Sequence, residues 1–350
     1  MNTSIQVRNG QQGISPSPQQ VLVTGGGGFL GFAIVRKLIQ RGDHVRSFSR
    51  SRYDKLHTLG VTQVTGDIAD PEAVSAACQG MDLVIHTAAK PGVWGDYETF
   101  HQTNTVGTIN IINACRRWGV DRLVHTSSPS VVFNGSSMEG ANESVPYPDH
   151  YLTHYPKTKA MAEQAVRRAA DDGLKTVCLR PHLIWGPEDN HLTPRIIARA
   201  KRLRRVGDGK NRVDTIYVDN AADAHLLAAD ALAQNPAVSG RVYFISQNDP
   251  IPLWDMVDHI LHAAGLDPVR GSVSPGTARA MGAVLEWIYG VFGLKGEPPM
   301  TRFVAEELAT AHWFDITAAQ KDLGYEPKVS TKEGLKRLAA WFRMHPQADG

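Results

Sequence analysis

The sequence predicts an α/β protein with a doubly wound parallel sheet, and three observations carry that prediction. From Val21 onward, short runs rich in Val, Ile and Leu alternate with amphipathic stretches. Near-continuous apolar strands bounded by helices belong to a parallel sheet covered on both faces. A glycine cluster follows the first run at once, as a tight strand-to-helix turn requires. After Arg180 the rhythm breaks, with frequent Pro and Gly, dominant helices and isolated strands. A smaller, mostly helical region is therefore expected to pack against the first.

In chain order the expected strands are 21–24 (VLVT), 44–49 (HVRSFS), 61–66 (VTQVTG), 82–88 (DLVIHTA), 122–127 (RLVHTS) and 175–180 (KTVCLR). Helical periodicity lies near 30–41, 71–79, 99–118 and 156–171. Beyond Arg180, TIYV (215–218) and RVYFIS (241–246) stand as isolated strands, and VYFIS is apolar enough to be buried, so the chain is expected to return to the sheet. Three parts result: a flexible Gln/Ser/Pro/Gly tail (1–20), a nucleotide-binding domain (21–180) and a substrate-binding region (181–350) with some segments returning to the sheet.

Composition narrows the class. The chain has 350 residues, 42% of them hydrophobic and 21% charged, enough for a sizeable core. A net charge of +2 argues neither for nor against nucleic acid, and no nucleic-acid partner is called for. Cys78, Cys115 and Cys178 have no metal or disulfide spacing, so a reducing cytoplasm is expected. The fourteen histidines form no ligand set, and no metal is expected. The longest apolar stretch, 278–294, carries Arg279 and Glu286 and falls short of the ~20 apolar residues that spanning takes. It reads as a helix facing a pocket, a partner or a membrane surface.

VLVTGGGGFLG places Gly25, Gly28 and Gly31 three apart between a strand and a helix. Glycines there let backbone N–H groups approach a pyrophosphate at the helix N-terminus, a Rossmann-like arrangement. An NAD site wants an acidic residue ~20 positions on. Here Ser49, Arg50, Ser51 and Arg52 follow Phe48 instead, and Ser49, Arg50 and Arg52 suit a 2′-phosphate through charge-assisted hydrogen bonds. NADP(H) is favoured over NAD(H), the alternative for these residues being a solvated basic loop. Asp67, at a strand end, is placed to accept from an adenine amino group, and Ala88 and Ala89 keep the cofactor path free of bulk. Phe29, Leu30, Ile68 and Lys90, neighbours in the same motifs, complete the expected cofactor contacts.

YPKTK (155–159) raises the catalytic question. Pro156 suits a first helical turn, where its missing N–H is no loss. Residues i and i+4 share a helix face, so Tyr155 and Lys159 point the same way. An ammonium beside a phenol lowers its pKa from ~10, which makes a tyrosine a usable acid or base. The strand RLVH delivers Thr126, Ser127 and Ser128 to its carboxyl end, where open α/β sheets bind ligands. Asn104 stands either to steady Lys159 through a water or as an ordinary buried amide.

TGGGGFLG, GDIAD, Ser128/Tyr155/Lys159 and LRPHLIWGP together resemble the extended short-chain dehydrogenase/reductases, in their 3β-hydroxysteroid dehydrogenase branch, which also holds sterol 4-carboxylate dehydrogenases. HTLGV, AAKPGVWGDYETFHQTNTVGT, GPEDNHLTPRIIARA, VGDGKN, YVDNAADAH and GEPPMTRF are similar to the bacterial 2-alkyl-3-oxoalkanoate reductases of olefin biosynthesis. That family reduces the 3-oxo group of a 2-alkylated β-keto acid with NADPH, before a partner enzyme closes a β-lactone. The resemblance implies that Ser128, rather than Ser127, orients the ketone and that Tyr155 donates the proton. It gives Lys159 the nicotinamide ribose, and Pro181, Leu183 and Ile184 the nicotinamide face. A lipid-like keto acid is then the substrate, and a 3β-hydroxysteroid or sterol-4-carboxylate dehydrogenase, differing only in its pocket, is the alternative. For two alkyl tails the expected wall is Met281, Val284, Leu285, Ile288 and Phe292, with Glu286 facing water. Trp94, Trp185, Trp287 and Tyr289 suit either substrate wall or core. Arg195 or Arg302 is the expected cation for the carboxylate. A homodimer, or a larger complex with other olefin-pathway enzymes, is expected to cover the wall's edges.

Overall fold

The computed structural model describes residues 18–345. The expected tail therefore lies outside the described residues except for 18–20, of which Gln20 opens the first strand.

Seven strands form one parallel sheet: β1 (Gln20–Thr24), β2 (His44–Ser49), β3 (Thr62–Thr65), β4 (Leu83–His86), β5 (Arg122–Thr126), β6 (Lys175–Pro181) and β7 (Arg241–Ile245). Their spatial order is β7-β6-β5-β4-β1-β2-β3. The order reverses between β1 and β4, and open α/β sheets bind ligands in the crevice at such a point. Successive side chains of a strand go to opposite faces. Val21, Val23, Leu83 and Ile85 enter one apolar cluster, and Leu22 and Val84 enter the other.

Helices cover both faces. On the first lie α1 (Phe29–Arg41) and a later helix, Val218–Gln234. Both supply the same core cluster as Val21, through Ile34 and Leu38 of the one and Ala221 and Ala228 of the other. On the second lie α2 (Pro71–Cys78), α3 (Gly107–Trp118) and α4 (His154–Asp171), which supply Val74, Ile111 and Val166.

Two local expectations are corrected. The helix expected over 99–118 is interrupted: an α-turn at Tyr97–Phe100 passes into a π-helix at His101–Val106 before α3 begins. The TIYV strand shrinks to Ile216–Tyr217, because Val218 already opens the next helix. Beyond the main sheet, Met138–Ala141, Arg212–Val213, Ile251–Pro252 and His312–Phe314 pair into a small second sheet that walls one end of the ligand crevice. Among the described residues no helix is long and apolar enough to cross a membrane.

Candidate active site

A cleft of about 900 Å³ runs along the carboxyl ends of the strands, from the glycine loop past β5 to the small second sheet. Its nucleotide end is built by steric necessity. Gly25 has φ +71°, and a Cβ on Gly31 would stand 2.2 Å from the Gly25 carbonyl oxygen. The Gly28 N–H donates to that same carbonyl at 2.9 Å and closes the turn. Only glycine fits at Gly31, and the N-terminus of α1 is thereby left open to the cleft.

Phe29, Leu30, Ser49, Arg50, Asp67, Ile68, Ala88, Ala89, Lys90, Pro181, Leu183 and Ile184 all line this cleft together with the three glycines. The Ser49 Oγ is buried and has no hydrogen-bond partner among the described residues. Arg52 is the exception: it is exposed and does not line the cleft, although Ser51 and Tyr53 on either side of it do. Tyr53 takes that side instead, with its ring where a Cβ on Gly27 would fall (2.1 Å). No local motif marked Tyr53, since its contact with the glycine loop is tertiary.

Ser128, Tyr155 and Lys159 meet in the middle of the cleft. Ser128 caps the short 3-10 turn Pro129–Val132, its Oγ accepting from the Ser130 N–H at 3.2 Å. Ser127 is buried beside Glu163. Tyr155 and Lys159 lie one turn apart on α4, with Pro156 in its first turn.

The electrostatics differ from the expectation that Lys159 lowers the tyrosine. Burial pushes the Tyr155 phenol up, Ser128 beside it pulls the other way, and Glu307 adds to the rise. The Lys159 ammonium is turned inward, donating to the Thr126 carbonyl at 2.6 Å and lying 3.5 Å from His125 Nε2. Burial lowers it to about 8, against an upward pull from Glu163. Their own burial, and then the Lys159 charge, hold His86 down at about 3 and His125 well below its ordinary value, so both rings are neutral.

Beneath this group lies a buried ion pair. Glu163, two turns along α4 from Tyr155, receives Arg180 through bonds of 2.6 and 3.0 Å and the Tyr147 hydroxyl at 2.5 Å. Its side chain is 0% exposed and that of Arg180 2%. This pair went unrecognised in the sequence, though the spacing from Lys159 to Glu163 is a helix-face signal.

The direct partners of Asn104 are Lys90 and Thr158. From the π-helix its Oδ1 accepts from the Lys90 N–H at 2.7 Å, and its Nδ2 donates to the Lys90 carbonyl at 3.2 Å and to Thr158 Oγ1 at 3.1 Å. It ties the loop after β4 to the helix bearing Tyr155, and so is a positioning residue.

At the substrate end stand Phe133, Met138, Phe303, Phe314, His182 and His312, together with Glu307. Burial pushes the Glu307 carboxyl up to about 7. The expected alkyl wall is corrected: no residue of 278–294 lines the cleft, and Met281, Val284 and Phe292 are exposed. Trp185 is fully buried core, and Trp94 meets Tyr289 edge-on outside the cleft lining. Glu286 does not face water freely but holds Arg302 at 2.6 Å, which removes Arg302 as the substrate's cation. Arg195 does line the cleft, yet it pairs with Glu297 at 2.8 Å.

Residues 22–273 match the model of the 3-beta hydroxysteroid dehydrogenase/isomerase family. A 2-alkyl-3-oxoalkanoate reductase of Stenotrophomonas maltophilia is 50% identical over 325 residues, covering 92% of this chain and 98% of that protein. A decarboxylating sterol-4-alpha-carboxylate 3-dehydrogenase of Schizosaccharomyces pombe is 35% identical, covering 93% and 98%. Among solved structures, a UDP-glucuronic acid 4-epimerase of Bacillus cereus in complex with NAD superposes with a TM-score of 0.71 at 21% identity, over 94% of this chain and all of that one. At that identity the likeness speaks to the fold.

Proposed function

The chain belongs to the 3-beta hydroxysteroid dehydrogenase/isomerase family of NAD(P)-dependent oxidoreductases, and from that premise we propose that it reduces the 3-oxo group of long-chain 2-alkyl-3-oxoalkanoic acids with NADPH, in olefinic hydrocarbon biosynthesis. The observation that carries this reading is the meeting of Ser128, Tyr155 and Lys159 in one cleft with the glycine loop, in a chain 50% identical to a reductase of that name.

The nucleotide end fits the cofactor: a cradle that a Cβ would fill, and an unpartnered Ser49 hydroxyl beside Arg50. The glycine loop would hold the pyrophosphate, Asp67 the adenine, and Ser49 and Arg50 the 2′-phosphate that distinguishes NADPH. A bound nicotinamide supplies hydride. The chain's own residues do the rest. Ser128 donates to the ketone oxygen and fixes its distance from Tyr155. Tyr155, raised by burial, is protonated near neutral pH and gives its proton to that oxygen as charge develops there. Lys159, which lines the same cleft with its ammonium at the Thr126 carbonyl, would hold the nicotinamide ribose. Asn104 and the Glu163–Arg180 pair keep α4 in place. Glu307, raised to about 7, is largely the uncharged acid below that pH and offers a hydrogen bond rather than a repelling charge to a substrate carboxylate.

The 35% identity with a sterol-4-alpha-carboxylate 3-dehydrogenase supports a second reading with the same catalytic group. NADPH oxidation measured in parallel with a 2-alkyl-3-keto acid and a 3-ketosteroid decides between them. Turnover of the keto acid is expected, and turnover of the steroid alone would overturn the proposal.

A further inference from the structure

The helix Pro275–Phe292, here α5, carries its apolar side chains on the outside. Its buried positions are its smallest, Ala278 and Gly282, and a Cβ on Gly282 would stand 2.6 Å from the Thr301 backbone. Five of its large residues point outward, four of them at helical spacing, Met281 (44% exposed), Val284 (56%), Trp287 (64%) and Val291 (59%), followed by Phe292 (67%), while Leu285, Ile288 and Tyr289 are half-buried. Eighteen residues make a helix about 27 Å long at 1.5 Å per residue.

A strip of cations runs beside it. Arg195 pairs with Glu297 just past the C-terminal end of α5, and Arg205 is in register with Ser272 just before its start. The segment between them thus has one end near each end of the helix. It bears Arg199, Lys201, Arg202 and Arg204, with no acidic residue between Asp189 and Asp208. Lys201, Arg202 and Arg204 are exposed. Ala200 and Leu203 of this segment pack on the same apolar cluster as Ala278. Glu297 also accepts from the Val93 N–H at 3.1 Å. Val93 and Arg195 line the cleft, so the strip and the helix flank its mouth.

We propose that this face docks the protein on an anionic lipid bilayer, with α5 lying in the interface plane and the cleft mouth beside the membrane. An in-plane helix of this kind buries its apolar side at the headgroup boundary. Trp287 suits headgroup depth, and the four cations answer lipid phosphates. Charge complementarity chooses the bilayer over a second copy of this chain. A two-fold contact centred on α5 is self-complementary and brings one cationic strip near the other. The proposal goes beyond the proposed reaction and holds whichever lipid acid the cleft reduces.

The test is co-sedimentation of the full chain with vesicles of phosphatidylcholine alone and of equal parts phosphatidylcholine and phosphatidylglycerol. Binding to the mixed vesicles only, reversed by high salt, is expected. Each cation near such a surface contributes about fivefold in affinity. A protein with Arg199→Gln, Lys201→Gln, Arg202→Gln and Arg204→Gln should therefore lose roughly several-hundred-fold. Trp287→Ser with Phe292→Ser should lose binding too, with circular dichroism unchanged because both side chains are exposed. No binding to mixed vesicles overturns the proposal, as does equal binding to neutral ones or retention by both variants. A concentration-dependent dimer that Trp287→Ser with Phe292→Ser dissolves, without vesicle binding, overturns it in favour of self-association. Ketone reduction in vesicle-free buffer tests the reaction separately.

Discussion

Replacing Lys159 by methionine is expected to stabilise the unliganded protein at pH 7 while removing its activity. Lys159 is 3% exposed, its ammonium donates to the Thr126 carbonyl, and among the described residues the carboxylate acting on it is Glu163, already held by Arg180. Burial brings it from 10.5 to about 8. At about 1.4 kcal/mol per pH unit, that is roughly 3 kcal/mol for keeping a charge in the folded interior. Methionine fills similar space without the charge, and the Thr126 carbonyl left unpartnered costs about 1 kcal/mol. A net gain of about 2 kcal/mol follows. Its pH dependence has a definite sign. Below pH 8 folded and unfolded chains both carry the proton, so the cost is present in full. Between about 8 and 10.5 the unfolded chain binds more protons than the folded one, and wild-type stability rises with pH. Urea midpoints of both proteins at pH 7 and pH 10 measure this. The variant should lead at pH 7 and lose its lead by pH 10. A variant less stable at pH 7, or a difference equal at both pH values, refutes the reasoning.

Other expectations concern the cleft. Tyr155→Phe should lower kcat by about 10²–10⁴-fold, as for a lost general acid, while NADPH binding, followed by fluorescence, barely changes. A variant with a tenth of wild-type kcat or more would remove Tyr155 from its role. Arg50→Ala should weaken NADPH by about ten- to a hundredfold through a lost charge-assisted bond and leave NADH nearly untouched. Arg52→Ala, outside the cleft, should change neither; equal effects of the two would argue for a diffuse basic loop. Gly31→Ala meets the Gly25 carbonyl at 2.2 Å, and forcing that turn apart should cost about 1–3 kcal/mol in stability together with nucleotide affinity. Unchanged affinity in a titration would show that the turn is not the pyrophosphate site.

The sequence by itself determined what local chemistry can encode. Near-continuous apolar strands between helices pointed to the parallel sheet, because each strand must bury both faces. Three spaced glycines after β1 marked the nucleotide turn, since only a missing Cβ lets the loop close on the Gly25 carbonyl. The i, i+4 relation of Tyr155 and Lys159 placed them on one side of α4. What the tertiary structure alone decided is where charge and exposed apolar surface ended up. Whether Lys159 faces Tyr155 or the Thr126 carbonyl depends on the depth of α4 against β5. Arg195 and Arg302 look like free cations in the sequence, yet each finds a carboxylate more than fifteen residues away along the chain. Segment 278–294 is as apolar as a pocket wall, but Ala278 and Gly282 are the residues that pack inward, against helix Arg302–Ala309 and the turn before it. Periodicity fixes which side chains share a face; only the neighbouring elements determine whether that face meets a ligand, the core or the outside.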